Sequence, residues 1–116
     1  MSFYVGLDLG QAADFTALAV LEAVSAEEVE RGLHLRHLER FPLRTPYTAV
    51  ADGVVALVER LRGLTLLREE PDLLVDNTGV GRAVTDVLRD KGLRFKAITL
   101  TGGSQVMRGD AWAYPG

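Results

Sequence analysis

Cysteine is absent from the 116 residues, which removes disulfides, thiolate nucleophiles, thiolate zinc sites and iron–sulfur clusters together. Long apolar runs are missing too. A representative stretch, Thr16 to Val24, has the length of a strand and is interrupted by Glu22, so neither a membrane-spanning helix nor a signal peptide is expected, and the cytoplasm is the simplest compartment. Positive charge is not in excess. A formal net charge of −3 argues against a protein that coats nucleic acid, because Lys and Arg on phosphates supply most nonspecific affinity. The cations, among them Arg36, Arg40, Arg44, Arg82, Arg94 and Lys96, read as a scattered, solvated surface. No internal repeat is present, and the length suits one core. An apolar share of 47% and a charged share of 25% then place the chain among ordinary globular domains rather than disordered, collagenous or membrane proteins.

What is present is a strand-rich first half and two helices. Residues 3–9 and 16–24 predict two strands joined by a loop short enough to make them antiparallel. A third strand follows over Leu33 to Phe41 after the acidic stretch Ser25 to Gly32; its period of two slips between Leu35 and Leu38, which predicts a bulge. Thr45-Pro46 predicts a helix start with Thr45 as N-cap. Val50, Val54, Leu57, Val58 and Leu61 then recur at helical spacing up to Gly63. After a strand over Leu73 to Asp76, a second helix is expected from Gly79 to Gly92, turning Val80, Ala83, Val84, Val87 and Leu88 inward. A fifth strand covers Leu93 to Thr101. The fold class is therefore α/β, in the order β-β-β-α-β-α-β with right-handed crossovers. Residues 1–101 form the core, and the glycine-rich tail 102–116 is expected to be a hairpin or loose terminus.

The chemistry concentrates at two matching positions. Asp8 closes the run Phe3 to Leu7, Asp76 closes the run Leu73 to Val75, and each is followed by a glycine-containing turn. If the two runs are parallel neighbours, their carboxyl ends lie about 4.8 Å apart, at the end of the sheet where open α/β folds place ligands. Two carboxylates there suit a hard ion such as Mg²⁺ or Mn²⁺. Asp14 in the following loop has two readings, a further metal ligand or an Asx-type loop residue. Such acidic clusters hold two metals about 3.5–4 Å apart in phosphodiester hydrolysis. Asn77 and Thr78 read as helix N-caps, and Gly79-Val80-Gly81 lacks the lysine and spacing of a Walker loop. His34 and His37, without spaced partners, read as surface or sheet-edge residues. Trp112 and Tyr114 read as tail residues that pack on the core, with stacking on bases as the functional alternative.

Val5-Gly6-Leu7-Asp8-Leu9-Gly10, Asp14-Phe15-Thr16-Ala17 and Leu74-Val75-Asp76-Asn77-Thr78-Gly79-Val80-Gly81 together resemble the RNase H-like nuclease domain of phage and prophage large terminase subunits. The resemblance runs in order along nearly the whole chain. It implies an RNase H-like mixed sheet in the order 3-2-1-4-5, with Asp8 and Asp76 as catalytic metal ligands on neighbouring strands and Asp14 as an extra loop carboxylate. It further implies a two-metal-ion endonuclease that uses Mg²⁺ or Mn²⁺ on double-stranded DNA during genome packaging, with no membrane association. Other terminase components and self-association are open as further partners. The sequence departs from the family in two respects: no Walker motif precedes the first strand, and the third acid of the family has no counterpart except Asp110 in the tail. Weak or absent cleavage by the chain as it stands is therefore expected. Two alternatives belong to other classes: a fragment of an actin-like or sugar-kinase-type ATPase fold, and a noncatalytic prophage-derived interaction domain.

Overall fold

The computed structural model describes residues 2–11, 13–23 and 32–100, together with the backbone of 105–108 and 113–115. Strands β1 (Ser2–Asp8), β2 (Ala17–Ala23) and β3 (His34–Arg40) form an antiparallel meander. Helix α1 (Tyr47–Leu64), β4 (Asp72–Asp76), helix α2 (Arg82–Asp90) and β5 (Lys96–Leu100) follow. β4 lies parallel to β1 and β5 parallel to β4, so the spatial order runs β3-β2-β1-β4-β5. This is the RNase H-like mixed sheet that the sequence led us to expect. Two strands, β6 (Gln105–Arg108) and β7 (Ala113–Pro115), continue it beyond β5 as antiparallel neighbours. Asp110, Trp112, the side chain of Tyr114 and residues 24–31, which hold all of the acidic stretch but Gly32, lie outside the described residues.

One face of the sheet is covered and the other is open. Along β1, Phe3, Val5 and Leu7 are buried while Tyr4 and Gly6 are partly exposed, the period of two of a strand with one face packed. Leu18, Val20, Leu73 and Val75 continue the packed face on β2 and β4. They share one cluster with Val50, Val54, Leu57, Val58 and Leu61 of α1 and with Val84 and Leu88 of α2. Burying each such side chain contributes roughly 1.5–3 kcal/mol. On the open face Leu74 and Leu38 remain 43% and 65% exposed.

Local details show where sequence patterns give way to geometry. The bulge in β3 is present: Val20 pairs with His37 and Leu21 with Leu35, which leaves Arg36 as the extra residue. Its guanidinium reaches the buried Glu22 carboxylate at 2.7 Å. The helix cap differs from expectation. Pro46, not Thr45, is the N-cap of α1, and its carbonyl accepts a hydrogen bond from Val50 N–H at 3.0 Å. The Thr45 hydroxyl donates to Pro42 O at 2.5 Å and does not cap the helix. Gly63 does not stop α1, which runs on to Leu64 and ends at the extended Thr65.

The second helix starts later than its apolar pattern suggests. A turn closed by Val80 N–H to Asn77 O occupies 77–80, and Gly81, at φ 81°, is the N-cap. The delayed start leaves Ala83 exposed and buries Thr85, whose hydroxyl donates to Arg82 O at 2.8 Å. At the far end Gly92 takes φ 85°, and Leu93 N–H reaches back to Leu88 O, the hydrogen-bonding pattern of a glycine-stopped helix.

Candidate functional site

Asp8 and Asp76 are direct register partners across the parallel β1–β4 pair, each the last residue of its strand. Side chains opposite one another in a sheet point to the same face, and both aspartates share that of Gly6 and Leu74, the open one. They line one depression of about 320 Å³ with Ala17, Leu38, Ile98 and Leu100. The backbone locks the two strand ends together. Leu9 N–H donates to Asp76 O at 3.0 Å, and Asn77 N–H donates to Ile98 O at 2.9 Å.

The two carboxylates are held differently. Thr78 donates twice to Asp76 Oδ1, from its backbone N–H at 3.0 Å and from its hydroxyl at 2.6 Å. The same hydroxyl accepts Leu100 N–H at 2.8 Å, so Thr78 ties the Asp76 carboxylate to β5. Beside it the Thr99 hydroxyl donates to Asn77 Oδ1 at 2.5 Å. Asn77 and Thr78 are therefore not helix caps; they fix the turn that orients Asp76. Among the described residues no hydrogen bond reaches the Asp8 carboxylate. Its carboxyl is raised above the ordinary 3.8, first by partial loss of water and then by the negative charges of Asp76 and Asp14. Asp8 as a residue is exposed, so the loss of water is partial.

Asp14 belongs to the loop after β1. Its N–H closes a turn on Gln11 O at 2.9 Å. Gly10 is pressed against this turn so closely that a Cβ there would sit on the Asp14 and Phe15 carbonyl oxygens. Gly10 N–H donates to the Thr16 hydroxyl at 3.0 Å, and Tyr47 of α1 donates to Gly10 O at 2.6 Å. The loop also meets the turn after β4: Gly79, at φ 78°, leaves the space that the Gln11 amide fills. Asp14 is thus an electrostatic neighbour of Asp8. Among the described residues no group of three or more His, Asp or Glu side chains is gathered into a metal cage.

Two side chains at this end of the sheet were not distinguished in the sequence. Arg40, the last residue of β3, lies over the ring of Phe15 with its guanidinium carbon 4.2 Å from the centroid. Only the cross-strand register brings it to the site, since Asp8 pairs with Ala17 and Ala17 with Arg40. His37 lies on the exposed edge strand, 3.3 Å from Glu39, and His34 is exposed on the same strand. Among the described residues no helix is long and apolar enough to cross a membrane.

Neither a protein-family model nor a curated protein sequence matches the chain. A solved structure does: the large terminase nuclease from the thermophilic phage G20c is similar over 81% of this chain, with a TM-score of 0.58 and 19% identity. The chain spans 42% of that structure's length. At this identity the likeness establishes the fold, and the fold of this chain is that of the RNase H-like large terminase nuclease.

Proposed function

We propose that this chain is a metal-dependent, DNA-cleaving domain related to the nuclease of the genome-packaging terminase, with Asp8 and Asp76 as the catalytic metal ligands. The observation that carries the reading is the direct β1–β4 register of the two aspartates at the carboxyl end of an RNase H-like sheet. The donor set fits a hard divalent ion. Two carboxylates face one depression, no thiol or imidazole lines it, and Asp8 carries unrelieved negative charge from Asp76 and Asp14. When bound there, Mg²⁺ or Mn²⁺ supplies charge neutralisation at a phosphodiester and activation of the attacking water.

The chain's own residues do the rest. Asp76 is oriented by Thr78, which leaves its Oδ2 without a hydrogen-bond donor among the described residues. Asp8 offers both oxygens. Asp14, held by the Gly10 loop, adds negative potential and stands as the further ligand or outer carboxylate. Two carboxylates and this neighbour hold one ion better than two, so cleavage by residues 1–116 is weak. DNA is the substrate class, the cytoplasm is the compartment, and further packaging components or a second copy complete the setting.

The test is plasmid nicking in Mn²⁺, with ATP hydrolysis measured beside it. Slow nicking that Asp8→Ala and Asp76→Ala each abolish is expected, with no ATP turnover. ATP hydrolysis by the wild-type chain, or nicking that survives both substitutions, would overturn the reading.

A further inference from the structure

Four residues stand side by side on one rung of the sheet: Asp76 on β4, Asp8 on β1, Ala17 on β2 and Arg40 on β3. Direct partners share a face, so the rung presents to one side two carboxylates, a methyl group and a guanidinium. Two strand spacings, about 10 Å, separate the backbones of Asp8 and Arg40. Ala17 between them is too small to block a chain lying across the rung.

Arg40 is also held ready. Its guanidinium rests on the Phe15 ring at 4.2 Å, and Phe15 itself is 42% exposed. An arginine stacked on an aromatic face keeps its N–H donors directed outward and loses less freedom on binding an anion. Among the described residues Arg40 makes no ion pair, whereas Arg36 on the same strand is held by Glu22 and Arg62 on α1 by Glu59 and Glu70. Arg44 follows in the loop at the same end of the sheet, also without an ion pair among the described residues. A free, aromatic-propped cation beside an acidic metal site, in a chain of net negative charge, is placed to bind an anion that the acids would otherwise repel.

We infer that Arg40, propped by Phe15, is a DNA-positioning residue that grips a backbone phosphate flanking the one presented to Asp8 and Asp76. The strand therefore crosses the sheet along the rung from β4 to β3. This rests on the nuclease reading above and specifies how the substrate lies on it. Arg40 does not touch the reacting atoms; it sets register and affinity, as phosphate contacts do.

The experiment measures binding of a short labelled DNA duplex by fluorescence anisotropy in Ca²⁺, between about 50 and 200 mM salt, with Mn²⁺ calorimetry on the same samples. Arg40→Ala should weaken DNA binding about fivefold and lower the slope of log affinity against log salt by about 0.9, the loss of one phosphate contact. Arg40→Lys should keep the slope while losing part of the affinity, and Phe15→Leu should weaken binding with the charge unchanged. Arg94→Ala, at the opposite end of the sheet, should change neither. Mn²⁺ affinity should be the same in all four variants, which are checked for folding by circular dichroism. Wild-type affinity and slope in Arg40→Ala, a loss as large in Arg94→Ala, or no duplex binding by the wild-type chain would each overturn the inference. The nuclease reading fails separately, if Asp8→Ala leaves Mn²⁺ binding and nicking intact.

Discussion

Asp8 and Asp76 are register partners on parallel strands, yet Thr78 donates two hydrogen bonds to the Asp76 carboxylate and none reaches that of Asp8 among the described residues. The Asp8 proton is held more tightly than in a free aspartate, first by partial loss of water and then by the negative charges of Asp76 and Asp14. The sheet fixes the backbones, so the pair cannot relax by separating.

Metal-free stability should show this directly. A carboxyl raised in the folded state contributes stability that is fully present below its unfolded value, 3.8, and is lost as pH rises through the higher folded value. Asp8→Asn cannot ionise. In EDTA at neutral pH it should be more stable than wild type by up to about 1 kcal/mol, the scale of an exposed charge pair, with the gap narrowing as pH falls towards 3.8. Thermal melting across that range checks it; a gap that does not depend on pH would count against the charge explanation.

Divalent metal should reverse the order. An ion that binds only the folded state stabilises it by about 1.4 kcal/mol at a tenfold excess over Kd. Mn²⁺ should thus raise the melting temperature of wild type and leave Asp8→Asn and Asp76→Asn where they are in EDTA. Equal Mn²⁺ shifts in all three proteins would place the ion elsewhere.

Gly10→Ala should damage the site through the backbone. The added methyl has no room against the Asp14 and Phe15 carbonyls, and neither oxygen belongs to a flexible side-chain end that can swing away. Overpacking of this kind costs about 1–3 kcal/mol. Denaturant unfolding should register that loss, and Mn²⁺ affinity should fall with it as the loop carrying Asp14 shifts. Gly6→Ala is the control, since a Cβ there meets nothing.

Much of this was legible in the chain. Apolar periodicity located β1, β2, β4 and the stripe of α1, because burial on one face imposes that period; β3, exposed along its length, owes its place to pairing with β2. Asp8 and Asp76 stood out because both end apolar runs before glycine turns. What escaped was set by contacts between distant segments. The slip in β3 showed a bulge but not that Arg36 would turn to Glu22. Arg40 looked like one cation among many until register placed it on the rung of the acids. Thr78 has the composition of a cap; only the arrival of β5, with Leu100 N–H on its hydroxyl, gives it another task.

That task makes Thr78 the most discriminating position to change. Its hydroxyl donates to Asp76 Oδ1 at 2.6 Å and accepts Leu100 N–H at 2.8 Å. Thr78→Val keeps the shape and deletes both bonds, while Thr78→Ser keeps the bonds and deletes a methyl group. Each lost hydrogen bond costs about 0.5–1.5 kcal/mol, so Thr78→Val should lower stability by about 1–3 kcal/mol and Thr78→Ser by much less. The metal response should separate structure from site. With Asp76 held by the residue-78 backbone N–H alone, Mn²⁺ affinity should fall severalfold in Thr78→Val and stay near wild type in Thr78→Ser, measured by calorimetry well below both melting temperatures. A Val variant that loses stability but binds Mn²⁺ as wild type does would show that Thr78 only joins β4 to β5. A parallel loss of affinity with recovery in Ser would show that β5 orients the Asp76 carboxylate through this one hydroxyl.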